Sequence, residues 1–308
     1  MTVSAAPAEA ILEESSGGGR RRRVRGTSDA RAYGLGVITV VYLLWALVPV
    51  AITVLFSFNE GRSRSTWQGF SLRWYTWDPN GSVLNDESIR NALAHTVLLA
   101  VLATIITVPL GVLFALALDR WRGRLPAGAN FLALITFVIP EIALAIGLLF
   151  MVTYLATPFG LGTWAQVIGL VTFQLAYPIV ICRARLLTIG AHYEEAARDL
   201  GASALGAVRR VILPMLFPAI LVSAILVFAD VLDDFVIVRY LSSDASTETT
   251  SMRIYQTARA APTPALNAMA TIILVVSALV IVLGWLAYRR WTRRQGESTD
   301  VSSLANTL

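Results

Sequence analysis

Lysine is absent from this 308-residue sequence: all 25 basic residues are arginine. A Walker A loop needs a lysine to reach nucleotide phosphates, so ATP is not hydrolysed here through such a loop. Energy for any active process has to come from another subunit or from an ion gradient. Cysteine is nearly as scarce. The single Cys182 excludes an internal disulfide and a CxxC site, and its place in an apolar run beside Arg183 predicts a small buried hydrophobe. Histidine occurs twice. His95 stands on an apolar segment without a second ligand at metal spacing, so packing or a hydrogen bond is expected of it. His192 heads His192-Tyr193-Glu194-Glu195 and lacks the second histidine of an HExxH site. No nucleophile constellation for an intramembrane protease is visible. Charge is thin, at 15% of residues against 56% hydrophobic, which is the composition of a polytopic membrane protein.

Residues 1–30 are polar and glycine-rich, with a basic block at Arg20, Arg21, Arg22, Arg23 and Arg25. They bury too little apolar area to fold, so a disordered tail is expected. The block precedes the first apolar run, where positive charge fixes orientation; neither nucleic-acid binding nor a cleaved signal peptide is expected of it. Six hydrophobic segments follow, at about Gly34–Phe56, Asn91–Leu118, Phe131–Tyr154, Trp164–Ile181, Pro214–Val238 and Ala265–Tyr288. Spanning a bilayer takes roughly 20 apolar residues. Lipid cannot satisfy exposed backbone groups, so each segment must be a helix. The fold class is therefore all-α: a polytopic membrane protein of six transmembrane helices over 31–290, with tails at 1–30 and 291–308. With both termini in the cytoplasm, the inside parts hold 18 arginines and the outside loops seven, and this bias favours that orientation. A loop at 183–213 then faces the cytoplasm. The first external loop, about 57–90, clusters Trp67, Phe70, Trp74, Tyr75 and Trp77. Either an interfacial aromatic belt or a contact with an external binding protein accounts for them.

Within 183–213 the chain reads Glu195-Ala196-Ala197, three residues, Gly201, nine residues, then Val211-Ile212-Leu213-Pro214. Glu194–Leu200 is a good helix former, and Gly201 supplies a residue that takes positive φ and ends it. Ser203 is a candidate N-cap for a second short helix through Ile212, and Pro214 marks entry to the fifth span. The small residues Ala196, Ala197, Ala202 and Ala204 allow close approach by a partner, and Glu195 offers it a carboxylate.

Acids inside the membrane are the second group of candidates. Glu141 follows Pro140 about 10 residues into the third segment, roughly 15 Å deep at 1.5 Å per residue. Such a charge in lipid normally faces a pathway or a partner. Asp230, Asp233 and Asp234 occupy positions i, i+3 and i+4 of the fifth segment, which places them on one helical face near its outer end. They read as a negative rim for a cation or as a solvated helix end.

The Glu195 pattern resembles the E-A-A-x3-G-x9-I-x-L-P loop of permease subunits from binding-protein-dependent ABC importers, with Val211 in place of the usual Ile. Trp67–Tyr75, Leu232–Val236, Arg253–Tyr255 and Asn267–Thr271 resemble stretches of the spermidine/putrescine branch. The resemblance implies the type I ABC importer permease fold in a bacterial inner or plasma membrane. It implies two ATPase subunits, a second homologous permease and an extracellular or periplasmic substrate-binding protein as partners, beside membrane lipid. ATP and Mg would be bound by the ATPase, with no cofactor in this chain. Glu194, Glu195, Ala196, Ala197, Gly201, Leu213 and Pro214 would couple to the ATPase; Glu141, Asp230, Asp233 and Asp234 would line the pathway for a polyamine. Permeases for ferric iron, sulfate or sugar share the loop. An ion-driven transporter would use intramembrane acids without it, and a membrane enzyme would need a catalytic constellation.

Overall fold

The computed structural model of the protein describes residues 27–63, 65–79, 81–120, 128, 138–155, 160–260 and 263–299. Among them regular structure is helical, apart from one isolated antiparallel bridge between Asn59 and Phe70. Among the described residues five helices are long and apolar enough to cross a membrane: Tyr33–Ser57, Glu87–Arg120, Thr163–Ile189, Ala204–Asp233 and Ala265–Arg293.

Two compact units are distinguished, Met1–Ala51 and Ile52–Leu308. Helix α1 (Thr27–Ser57) supplies the described part of the first. It begins inside the stretch expected to be tail, while residues 1–26, with the arginine block, lie outside the described residues.

The second unit is built around three helices: α3 (Glu87–Arg120), α6 (Ala176–Ile189) and α9 (Leu213–Asp233) pack against one another. Lipid is as apolar as the side chains, so helices in a membrane gain little from hydrophobicity and associate through close contact. The small residues at these contacts follow from that. Ala100, Ala103 and Ala115 of α3 are fully buried. A Cβ on Gly111 would lie 2.3 Å from Pro178 Cγ, so α3 and α6 touch where only glycine fits. Cys182 is buried on α6 as expected, with Sγ 3.9 Å from Ser223 Oγ of α9.

Four spans depart from the segments read from sequence. The fourth is interrupted at Leu175, between α5 (Thr163–Gln174) and α6. Pro178 has no N–H for the Gln174 carbonyl four residues back, which breaks the helical ladder there. The span also runs past Arg183 and Arg185 to Ile189 and stops at Gly190, φ 75°; arginine is a good helix former and does not end the helix. The third is not one helix through Glu141: α4 (Glu141–Tyr154) begins at that residue, after Pro140 in extended conformation. Glu141 is therefore a helix start, not a mid-helix charge; residues 129–137 lie outside the described residues. The fifth breaks at Asp234 (φ −55°, ψ 128°) and resumes as α10 (Val236–Leu241). After α11 (Thr250–Ala260) the last span, α12 (Ala265–Thr299), continues well beyond Tyr288, through residues expected to be tail.

The first loop is folded. Helix α2 (Arg73–Thr76) buries Trp74 against Val83, Ile89, Ala265, Ala268 and Met269, and the indole Nε1–H donates to the Asn59 carbonyl at 2.7 Å. Trp74 is thus a core residue rather than part of an aromatic belt, while Trp67, Phe70 and Trp77 are exposed. The stretches 67–75 and 267–271 meet in this small core, so packing accounts for part of their pattern.

Candidate functional site

The segment between α6 and α9 forms two short helices joined by a tight turn. Helix α7 (His192–Asp199) ends in a Schellman arrangement: Gly201 N–H donates to the Arg198 carbonyl (2.8 Å) and Ala202 N–H to the Ala197 carbonyl (3.0 Å). The turn requires a left-handed residue, and Gly201 has φ 86°. Ser203 caps α8 (Ala204–Ala207) by accepting from Gly206 N–H at 3.1 Å. A π-helical turn, Val208–Ile212, then leads into α9, with Leu213 N–H donating to the Val208 carbonyl five residues back. Pro214 and Pro218 lack the amides that a regular α-ladder would use at the opening of α9.

The residues expected to couple to a partner divide into two sets. Ala197 is half-buried, whereas Glu195, Ala196 and, at the turn, Leu200 and Leu205 are exposed, the two leucines by 90% and 77%. Two leucines held out at a hairpin tip form an apolar contact surface. Glu194 faces inward instead: Arg120, at the end of α3, donates to its Oε2 from Nη2 (2.5 Å) and Nε (3.1 Å), and Arg198 approaches Oε1 at 3.5 Å. Leu213 packs on the chain's own core, and Pro214 is exposed where α9 begins.

The acids meet where two helices start. The Glu141 and Asp234 side chains lie beside each other, and Asp230 lies within electrostatic reach of both. Two carboxyls in contact need a proton or another cation to offset them. Asp234 also accepts from Ile237 N–H (3.1 Å) and Val238 N–H (3.3 Å), so the side chain that breaks the fifth span satisfies the amides that open α10. Its carbonyl accepts from Ser251 Oγ at 2.6 Å. The shared face expected of Asp230, Asp233 and Asp234 is corrected accordingly: Asp234 leaves the helix. Asp230 and Asp233 instead line an open cleft of about 570 Å³ with Val222, Ile225, Leu226, Ala229 and Ile281.

Four polar residues in this region, Gln174, Gln166, Thr96 and Thr250, were not singled out from sequence. Gln174 donates to Asp230 Oδ2 at 2.5 Å. Gln166, fully buried on α5, donates to the carbonyls of Val238 (3.0 Å) and Thr247 (2.9 Å). Its Oε1 is then an acceptor, so His95 presents an Nε2–H to it at 2.8 Å. Thr250 N–H donates to Thr96 Oγ1 at 2.8 Å. These bonds tie α3 and α5 to the chain after the break. The signal was available, because a glutamine or histidine in an apolar run needs a partner. His95 fulfils the hydrogen-bond expectation. Arg253, in another family-like stretch, pairs with Glu248 (3.4 Å) and Asp86 (3.8 Å).

Comparison with known proteins gives the class. Residues 107–296 match the family "Binding-protein-dependent transport system inner membrane component". The chain belongs to this family. It is 32% identical over 269 residues to the spermidine/putrescine transport system permease protein PotC of Escherichia coli, covering 86% of this chain and 97% of the relative. The putrescine transport system permease protein PotI of the same species is 32% identical over 263 residues, 82% and 90% of the two chains. Among solved structures, a bacterial ABC transporter involved in import of the acidic polysaccharide alginate matches with TM-score 0.70 at 15% identity, over 86% of this chain and 96% of that one. A chain of the MetNI methionine ABC transporter matches with TM-score 0.52 at 20% identity, over 66% and 94%. The fold is that of a type I ABC importer permease, and the chain is a multi-pass membrane transport subunit, not an enzyme. The ion-driven and membrane-enzyme readings drop out.

Proposed function

We propose that this chain forms half of the translocation pathway of a polyamine importer and couples to a separate ATPase through the hairpin that carries Glu195. The observation that carries the substrate reading is the meeting of Glu141 and Asp234, with Asp230 nearby, inside a membrane protein. Carboxyls there are costly without a compensating cation. The adjoining cleft sets Asp230 and Asp233 beside Val222, Ile225 and Leu226, an alternation of carboxylate and apolar wall that suits ammonium groups separated by methylenes. The spermidine and putrescine permeases among the relatives support the same class. An anionic cargo would be repelled here, and a neutral sugar would gain nothing from the acids.

The exposed Glu195, Leu200 and Leu205 support the docking role, with Ala196 and Gly201 keeping the surface low. A second permease, two ATPase subunits and an external binding protein complete the assembly in this reading. The arginine bias supports cytoplasmic termini in a bacterial inner membrane. Cysteines placed at Ser65 and Ser246 should be labelled from outside intact cells and one at Ser203 only after permeabilisation; labelling at Ser203 in intact cells would reverse the orientation. Uptake of radiolabelled putrescine and spermidine, with and without this gene, tests the substrate. Gene-dependent uptake of both or either is expected. Uptake of ferric iron, sulfate or a sugar instead would overturn the substrate class and leave the importer class intact.

A further inference from the structure

Glu194 and Glu195 are adjacent acids with different partners. Helix α7 has no fully buried residue, so apolar packing contributes little to holding it in place. Among the described residues, the ion pair that joins it to a membrane-spanning helix is Arg120–Glu194. Both ends of the pair suit their positions. Arg120 is a cation in the last turn of α3, and Glu194 is an anion in the first turn of α7, so each complements its own helix dipole. Two guanidinium nitrogens converge on one carboxylate oxygen, and Arg198 takes the other side, which fixes the carboxylate in direction as well as distance. Helix α3 in turn packs on both α6 and α9, with Ala100, Ala103 and Ala115 fully buried.

We propose that Arg120 and Glu194 form a strut that locks α7 to the end of α3, so that displacement of the docked hairpin displaces the central helix of the bundle. Glu194 is then a positioning residue, and Glu195 is the acid presented to the ATPase. The inference rests on the coupling reading given above. A hairpin tied only through its two chain connections would swivel when pushed; one tied also to α3 passes the push on.

The test uses the complete importer reconstituted in lipid nanodiscs, with Arg120→Glu, Glu194→Arg and the double exchange. Each single exchange should leave assembly and basal ATP hydrolysis in place and abolish most of the hydrolysis stimulated by loaded binding protein. The double exchange should raise stimulated hydrolysis well above either single variant, short of wild type because both charges then oppose their helix dipoles. Spin labels at positions 119 and 199, in a Cys182→Ala background, report the strut itself. Their distance distribution should be narrow in the parent, broad in Arg120→Gln and narrow in Arg120→Lys. Single exchanges that couple normally while Glu195→Arg uncouples would overturn the strut and leave the coupling reading standing. Normal coupling in Glu195→Arg would overturn the coupling reading itself. Should a single exchange fail to assemble, neither the double exchange nor Arg120→Lys restoring assembly and coupling would also overturn the strut.

Discussion

The hairpin that carries Glu195 and the break in the fifth span that carries Asp234 both present acids, in opposite settings. The hairpin is held by local devices, Gly201 at φ 86° and the Ser203 cap, and by one ion pair to the distant Arg120. Its helix α7 has no fully buried residue. The break is held mostly by distant ones: beside the cap that Asp234 gives the start of α10, its side chain lies next to Glu141, its carbonyl accepts from Ser251, and Gln166 and His95 fasten the chain beyond it. In the proposed reading, the hairpin, with exposed residues at its tip and a strict spacing of Glu, Ala and Gly, serves an outside partner, and the break, fastened to several helices, serves what passes between them.

Removing charge from the break should have the largest effect. Asp234→Asn keeps an oxygen that can accept from the α10 amides and removes the anion. Putrescine uptake should fall roughly tenfold to a hundredfold, the scale of a charged hydrogen bond worth about 1.5–3 kcal/mol. Asp234→Ala loses the acceptor too, so it should also lower the unfolding temperature, by the equivalent of about 0.5–2 kcal/mol. Equal uptake in wild type and Asp234→Asn would make the acid a structural cap alone. Smaller effects are expected in the hairpin, measured by amide hydrogen exchange within α7 and α8. Gly201→Ala places a Cβ on a left-handed residue at a cost of about 1–2 kcal/mol and should loosen the end of α7. Ser203→Ala removes the cap from Gly206 N–H at a cost of about 1 kcal/mol and should speed exchange at that amide alone. If Ser203→Ala disturbed uptake more than Asp234→Asn, the division of labour between the two regions would be reversed.

The same contrast explains what could be read from the sequence. The hairpin was legible because its devices lie within a few residues of one another: glycine after a helix former, serine before the next. The all-helical membrane class was legible from apolar runs alone. The breaks were not. Asp234 reads as the next acid on a helix face at i+4, and only its bonds to Ile237 and Val238 turn it into a helix start. Asp followed by an apolar run was the available signal. Pro140 before Glu141 was a similar one, since proline at a helix opening is as common a role as a kink within a helix. The part played by Glu194 depended on Arg120, 74 positions away in the chain, which spacing within the hairpin could not reveal.

The account's central claim is that the two regions do separate work, one receiving the stroke and one passing the cargo. The most direct measurement follows stimulated ATP hydrolysis and polyamine uptake together, in one reconstituted preparation, for Glu195→Arg and Asp234→Asn. Glu195→Arg should assemble and lose both, because a cation then stands where the docked surface presents an anion. Asp234→Asn should keep stimulated hydrolysis and lose uptake. Wild-type hydrolysis and uptake in Glu195→Arg would contradict the account.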